Sequence, residues 1–225
     1  MRHLIITADD YGYAPAYDAG IVEAARAGAI DSASVLVRRA PVQATTLLLT
    51  GVEVGLHLEF DATGAVAGGI ERRSAQTSLA LQLDRFAEAF GRPPAFLDGH
   101  HHCHAQPGLA GVVGRMAAEL GLPVRSVDAA HRRLLRGLDV ATPDLLVGRL
   151  GEAEPATPPE LEEVLGGGPS PGGIVEWMVH PGHRDPASGS SYDLGREQDL
   201  RLLLDLRESG SLLGLRATHS RALGA

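Results

Sequence analysis

The stretch AFLDGHHHCHAQP, from Ala95 to Pro107, carries four histidines in five positions: His100, His101, His102 and His104. Fold stability does not require that density of imidazole. Protonated rings set side by side repel one another. A bound cation, or neutral rings held by carboxylates, removes the repulsion. If the segment is extended, Asp98, His100, His102 and His104 share one face, and His101 and Cys103 share the other. The alternative is a solvated polar loop. Cys103 has no spaced partner, so it reads as a small apolar filler rather than a structural zinc ligand.

Other chemistry-bearing side chains stand near the ends of apolar runs. HLIIT (His3–Thr7) leads into Asp9 and Asp10. Two adjacent carboxylates can divide the work of metal hydrolysis: one binds a divalent cation and the other accepts a proton from water. Neighbours on a regular strand point to opposite faces, so both reach one site only if the strand ends or twists there. The bland reading of ADDYG is a turn in which Asp bonds nearby backbone N–H groups. His57 lies on the polar phase of VEVGLHLEF, beside Glu59, and is either a ligand or a hydrogen-bonded core histidine. In IVEWMVHPG, Glu176 and Trp177 precede His180. His180 is either a proton donor to a leaving group or a residue that bonds the turn. Trp177 is either core or a platform for a sugar ring.

The elements that must position these residues alternate between β-rich runs and helical patterns. Strands are predicted at His3–Thr7, Ser32–Val37, Val52–Phe60, AFLDGHH, VRSV (Val124–Val127) and Ile174–His180. Helices are predicted at Ala16–Ala27, Ser74–Phe90, Gly108–Leu120 and Leu194–Glu208, with Gly28, Gly91 and Gly121 as stops. Thr157–Glu160 reads as a capping box, and Gly166–Gly173 as a loop. Residues 137–173 otherwise show no pattern. Such alternation means parallel strands joined by crossovers. About seven strands suggest a distorted (β/α) barrel in one domain over residues 1–225, and an open doubly wound sheet is the competing architecture. Either way, chemistry collects at the C-terminal ends of the strands, where these carboxylates and histidines recur. No dinucleotide-binding or Walker A pattern follows any strand.

Composition narrows the function classes. Of 225 residues, 44% are apolar but only 4% aromatic, so the core is mostly Leu, Val, Ile and Ala. A net charge of −8 argues against a nucleic-acid surface. The lone Cys103 precludes an intramolecular disulfide and suits the cytoplasm. No run approaches the length of a membrane span, and the start lacks a signal-peptide core.

LIITADDYG, GIVEAARAGAIDSASVLV, VGLHLEF, FLDGHHHCHAQPGL and EWMVHPG, in that order, resemble the YdjC-like (ChbG/HpnK) carbohydrate deacetylases. The resemblance runs from His3 to Gly182. It implies a distorted (β/α) barrel of the glycoside hydrolase/deacetylase type, often a homodimer. It implies removal of acetyl groups from N-acetylated amino sugars such as chitooligosaccharides, with one divalent metal ion, Mg²⁺ or Zn²⁺. By motif, Asp10, His57 and His100 correspond to metal ligands, Asp9 to the catalytic base and His180 to the acid or transition-state stabiliser. His102, His104, Trp177 and Glu59 are then candidates for substrate contact. LDG stands where LDS is commoner, which removes a hydroxyl near the metal. The segment after VGLHLEF is shorter than in many relatives. Rival readings are a metal-dependent phosphoesterase, for which two metals are expected, and a sugar- or metal-binding protein without catalysis.

Overall fold

The computed structural model describes residues 3–39, 41–60, 72–148, 173–210 and 216–223. The element order is β1 (His3–Tyr11), α1 (Pro15–Arg26), β2 (Ser32–Val35), α2 (Ala44–Leu48), β3 (Glu53–Leu58), α3 (Arg72–Phe90), β4 (Leu97–Gly99), a 3₁₀ turn (His100–Ala105), α4 (Ala110–Leu120), α5 (Ala129–Arg136), β5 (Leu145–Val147), β6 (Ile174–Val179), α6 (Asp193–Ser209) and α7 (His219–Leu223). The six strands form one sheet in the order β4-β3-β2-β1-β6-β5. Every pairing is parallel. The sheet curls into a half-barrel with helices around it, as the strand–helix alternation requires.

Six strands, not seven, pair among the described residues. VRSV is not a strand: Val124 makes only an isolated parallel bridge to Leu97. It still extends the sheet, because Arg125 N–H donates to Leu97 O at 3.0 Å. Strand β5 falls where no pattern was legible. The chain near Arg216 bridges Leu4 below the level at which β2 joins β1, and Ala217 N–H donates to Leu4 O at 2.9 Å. The Thr157–Glu160 capping box, most of the Gly166–Gly173 loop and the segment after Phe60 lie outside the described residues.

The strands carry opposite chemistries on their two faces. Toward the helices, Ile6 and Ala8 of β1, Val54, Leu56 and Leu58 of β3 and Val175, Trp177 and Val179 of β6 join one buried core. Toward the barrel interior, besides Ile5 and Met178, lie polar residues that bond one another. Thr7 and Ser32 hydroxyls lie 2.9 Å apart, as do Ser34 Oγ and His57 Nδ1. The period-2 alternation thus places function inside and the aliphatic core outside. Trp177 follows Glu176 and takes the outer face, 1% exposed, so it is core rather than a sugar platform. Most leucines of α6 are core: Leu200 and Leu203 are buried and Leu202, Leu204 and Leu206 pack against the core, whereas Leu194 is exposed.

Helix α1 approaches the loop after β6 at a glycine pair. A Cβ on Gly20 would stand 2.5 Å from Gly182 Cα. Backbone cannot yield as a flexible side chain can. Gly20→Ala should therefore destabilise the protein by about 1–3 kcal/mol, despite alanine's better helix propensity. Urea denaturation checks this, and unchanged or raised stability would show that the two segments part freely.

Candidate active site

Strand β1 does not break before the paired carboxylates. It runs through them to Tyr11, with its register slipping between Ala8 and Tyr11. At the slip Asp10 takes φ 74°, a left-handed conformation uncommon outside glycine. This bulge brings both Asp9 and Asp10 to the C-terminal mouth of the half-barrel, where a regular strand would separate them. Each is 1% exposed.

The two aspartates have different partners. Asp10 Oδ2 accepts from Arg196 Nη2 at 2.6 Å. Its Oδ1 lies 3.2 Å from His57 Nε2 and 2.8 Å from His100 Nδ1. Burial opposes the charge on Asp10, but the neighbouring imidazoles His100 and His57 hold its carboxyl well below the usual range. Asp9 is gripped by Arg125, whose Nη1 and Nη2 donate to Oδ2 and Oδ1 at 2.6 and 2.8 Å. Ser34 Oγ donates to Asp9 Oδ1 at 3.2 Å. Burial again opposes ionisation, yet Arg125 and His57 bring Asp9 down to about 2.

His57 projects from the end of β3 and is 2% exposed. Its Nδ1 lies 2.8 Å from Asp98 Oδ1, at the end of β4. A carboxylate at Nδ1 fixes the proton there and leaves the Nε2 lone pair facing Asp10, as histidine ligands require. Without a cation, burial opposes protonation, but Asp98 and Asp9 draw a proton onto His57 and raise its pKa well above the usual value.

The histidine run is not extended. Strand β4 ends at Gly99, and His101 and His102 have φ 49° and 53°. The turn separates the rings that an extended strand would align. His100 stays at the mouth beside His57, with ring centroids 5.6 Å apart. His102 and His104 turn into the protein, 8% and 0% exposed. His104 Nε2 donates to Arg125 O at 3.0 Å. Burial pushes the His102 ring down to about 4 and His104 well below its usual value. Neither ring is offered to a substrate. Cys103 fills a buried position, its thiol donating to Leu58 O at 3.1 Å and pushed up by burial to about 12.

Glu59 sits on the rim, 2.8 Å from Arg39 Nε. The Arg39 guanidinium in turn covers the Tyr13 ring at 4.0 Å, and Tyr13 is 5.9 Å from the His100 ring. His180 follows β6; its backbone N–H donates to Asp199 Oδ2 at 2.8 Å, and its ring meets Tyr192 edge-on. Burial brings the His180 imidazole down to about 4, against the attraction of Asp10 and Asp9.

A divalent cation fits this donor set. Asp10, His57 and His100 each offer one ligand atom, all within 4.8 Å of one another. Buried carboxylates (Asp9, Asp10, Asp98, Glu176 and Asp199) outnumber the buried guanidiniums of Arg125 and Arg196, so the site favours a further cation. A second group, Asp9, His57 and Asp98, is also close enough to be considered. There, however, Arg125 Nη2 already stands 2.8 Å from Asp9 Oδ1 and 2.9 Å from Asp98 Oδ2, so the guanidinium is that group's cation. The site therefore accommodates one metal ion. Two imidazoles and one carboxylate leave further positions open, as catalysis requires.

A model of the YdjC-like protein family matches residues 3–208. The chain belongs to this family. A carbohydrate deacetylase of Geobacillus stearothermophilus is 30% identical over 240 residues, covering 91% of this chain and 90% of the relative. A chitooligosaccharide deacetylase of Yersinia pestis is 31% identical over 147 residues, covering 54% of this chain and 58% of that relative. Among solved structures, an Enterococcus faecalis protein described as a candidate for cellobiose-phosphate cleavage has the same fold, with TM-score 0.83 and 23% identity over 97% of each chain.

Sequence reasoning missed Arg125, Arg196 and Ser34. An arginine flanked by valine and serine next to a strand, in VRSV, was the one available signal for a buried guanidinium. Arg125 is 0% exposed and also bonds Glu176, Nε to Oε1 at 3.0 Å. Removing it takes the guanidinium from three buried carboxylates and leaves them only Ser34 on Asp9, His57 on Asp98 and His219 facing Glu176. Arg125→Ala should cost about 3–5 kcal/mol at pH 7. Unpaired buried carboxylates have raised pKa values and gain protons as pH falls, so the deficit should shrink at pH 5. Paired Asp9 in the parent chain stays ionised down to about 2. Denaturation at both pH values reads the difference; an equal deficit would show that Arg125 is not what keeps these groups charged.

Proposed function

We propose that the chain is a metal-dependent hydrolase that removes N-acetyl groups from acetylated amino sugars. The observation that carries this reading is the convergence of Asp10, His57 and His100 on one point, with Asp9 held separately beside them. The carbohydrate and chitooligosaccharide deacetylases to which the chain is similar support the sugar class. Asp10, His57 and His100 hold the cation. Imidazole donors favour a borderline metal such as Zn²⁺ over Mg²⁺. When bound, the ion polarises the acetyl carbonyl and acidifies water.

The chain's own residues supply the rest. Asp9 accepts the proton of the attacking water as oxygen adds to the acetyl carbon. Arg125 keeps Asp9 ionised and aimed, at some cost in basicity. The C–N bond then breaks, and the amine nitrogen takes up a proton as acetate leaves. His180 faces this event. Neutral at pH 7, its ring offers one N–H, which suits stabilising the developing oxyanion, and the proton that Asp9 took from water is the one passed to nitrogen, relayed by the His180 ring. Glu59, Arg39 and Tyr13 form the rim against which a sugar ring would rest.

Arg125 in the second carboxylate group disfavours a two-metal phosphoesterase. A pure binding protein has no use for a base held on two oxygens. The net charge of −8 supports a neutral sugar rather than a nucleic acid as partner. No helix among the described residues is long and apolar enough to cross a membrane. A lone buried thiol suits a reducing compartment such as the cytoplasm. A homodimer is proposed on the family resemblance.

Acetate release from N-acetylglucosamine oligomers, measured with metal-loaded protein, tests the reading. Asp9→Asn should lower kcat by about 10²–10⁴ while metal content is retained. His57→Ala and His100→Ala should each lose metal by elemental analysis. Loss of metal in Asp9→Asn would reassign Asp9 as a ligand. Full metal retention in both histidine variants would remove the proposed centre.

A further inference from the structure

Below the reacting groups, the half-barrel holds a buried histidine that the mechanism does not use. His219 opens α7, lies outside the family-matched residues 3–208, and is 1% exposed. Its ring stacks on Phe96, centroids 3.8 Å apart and planes 11° apart. Phe96 can lie there only because residue 55 is glycine: a Cβ on Gly55 would stand 2.4 Å from the Phe96 ring. The backbone N–H of His219 donates to Glu53 Oε2 at 2.7 Å, which fixes the start of α7 against β3. Its Nδ1 lies 3.8 Å from the same carboxylate, and its Nε2 lies 3.5 Å from Glu176 Oε1.

Glu176 Oε1 is also the atom that receives Arg125 Nε, at 3.0 Å, and Arg125 Nη2, at 2.9 Å. The other end of that guanidinium grips Asp9 through both oxygens. A line of charge contacts therefore runs from His219, whose Nε2 faces Glu176 at 3.5 Å without a formed hydrogen bond, through Glu176 and Arg125 to Asp9. Every member is at most 1% exposed. Burial opposes the charge on Glu176, but Arg125 and His219 hold its carboxyl far below the usual range.

We propose that His219 is a positioning residue: its Nε2 steadies Glu176, which orients Arg125 and thereby aims the Asp9 carboxylate. The kinetic half of this rests on the deacetylase reading, whereas the structural half does not. His219 touches neither the metal ligands nor the rim, so its effect falls on turnover rather than on binding. Removal of an outer partner of this kind typically lowers activity 10–100-fold.

Three variants separate positioning from packing. His219→Gln keeps a side-chain N–H donor. His219→Phe keeps the stack on Phe96 and lacks the donor. His219→Ala loses both. In metal-free protein, the Arg125 Nε–H resonance, assigned by its loss in Arg125→Lys, should exchange slowly with solvent. Exchange should quicken in His219→Phe and His219→Ala and stay slow in His219→Gln. With metal and an N-acetylglucosamine oligomer, the first two should lose about 10–100-fold in kcat at unchanged KM and metal content. His219→Gln should retain most of it. Wild-type exchange and wild-type kcat in His219→Phe would overturn the proposal and leave His219 as a plug against Phe96. Equal losses in His219→Gln and His219→Phe would overturn it as well. If the parent protein releases no acetate while the exchange pattern holds, the deacetylase reading fails and the positioning role stands.

Discussion

One guanidinium is shared among three carboxylates that the chain brings from distant places. Arg125 reaches Asp9 on β1, Asp98 on β4 and Glu176 on β6, and none of the four is more than 1% exposed. Burying that much charge is unfavourable in itself, and mutual attraction offsets it only when every partner is in place. Strands on both sides of the half-barrel are thereby locked to one point near its mouth. The same point fixes the separation between Asp9 and the His57–Asp98 pair. Misplacing Arg125 would therefore disturb Asp9, the histidine's second partner and the edge of the sheet together. Its own backbone is tied in, since its N–H bonds Leu97 and its carbonyl accepts from His104. His104 thus acts beneath the site, holding the arginine's main chain, while His100 stays at the mouth with the His101 ring 4.0 Å away.

A second constraint divides the labour of Asp9 and Asp10. Adjacent residues on a flat strand cannot serve one site. The bulge at Asp10 overcomes this at the cost of a strained backbone, about 1–3 kcal/mol for a non-glycine residue. Strain of this kind persists only where the surroundings over-determine it. Here Arg196, His57 and His100 converge on the Asp10 carboxylate. The two carboxylates then differ in environment. Asp10 has one oxygen committed to Arg196 and one facing two imidazoles. Asp9 has both oxygens on Arg125. The first arrangement suits coordination and the second suits a charge kept in reserve.

Much of this was legible where the signal was local. The alternation in VEVGLHLEF put His57 on the polar phase, and that phase faces the barrel interior. Strand–helix alternation gave parallel topology without further information. The same alternation, applied to IVEWMVH, would have set Trp177 opposite Glu176 and so in the core. The histidine run misled because its geometry depends on two consecutive left-handed residues, His101 and His102, which nothing in their side chains demands. Arg125 and Arg196 were illegible for a different reason. Their partners lie 116 and 186 residues away, and only the curled sheet makes them neighbours.

The charge arrangement also decides how many cations the site can take. Two groups of potential ligands share His57, one through Nε2 and one through Nδ1. Were both occupied by metal, His57 would have to bridge them as an imidazolate, and Arg125 would have to leave Asp9 and Asp98. Its departure would strand a buried guanidinium with Glu176 as its one remaining carboxylate. A permanent organic cation therefore fills one group, and an exchangeable inorganic one suits the other. This asymmetry is what a single-metal hydrolysis needs. One side of the site offers ligand atoms to a cation and the other keeps the Asp9 carboxylate ionised beside it. The fixed cation sits where it cannot be lost to a chelator or titrated away.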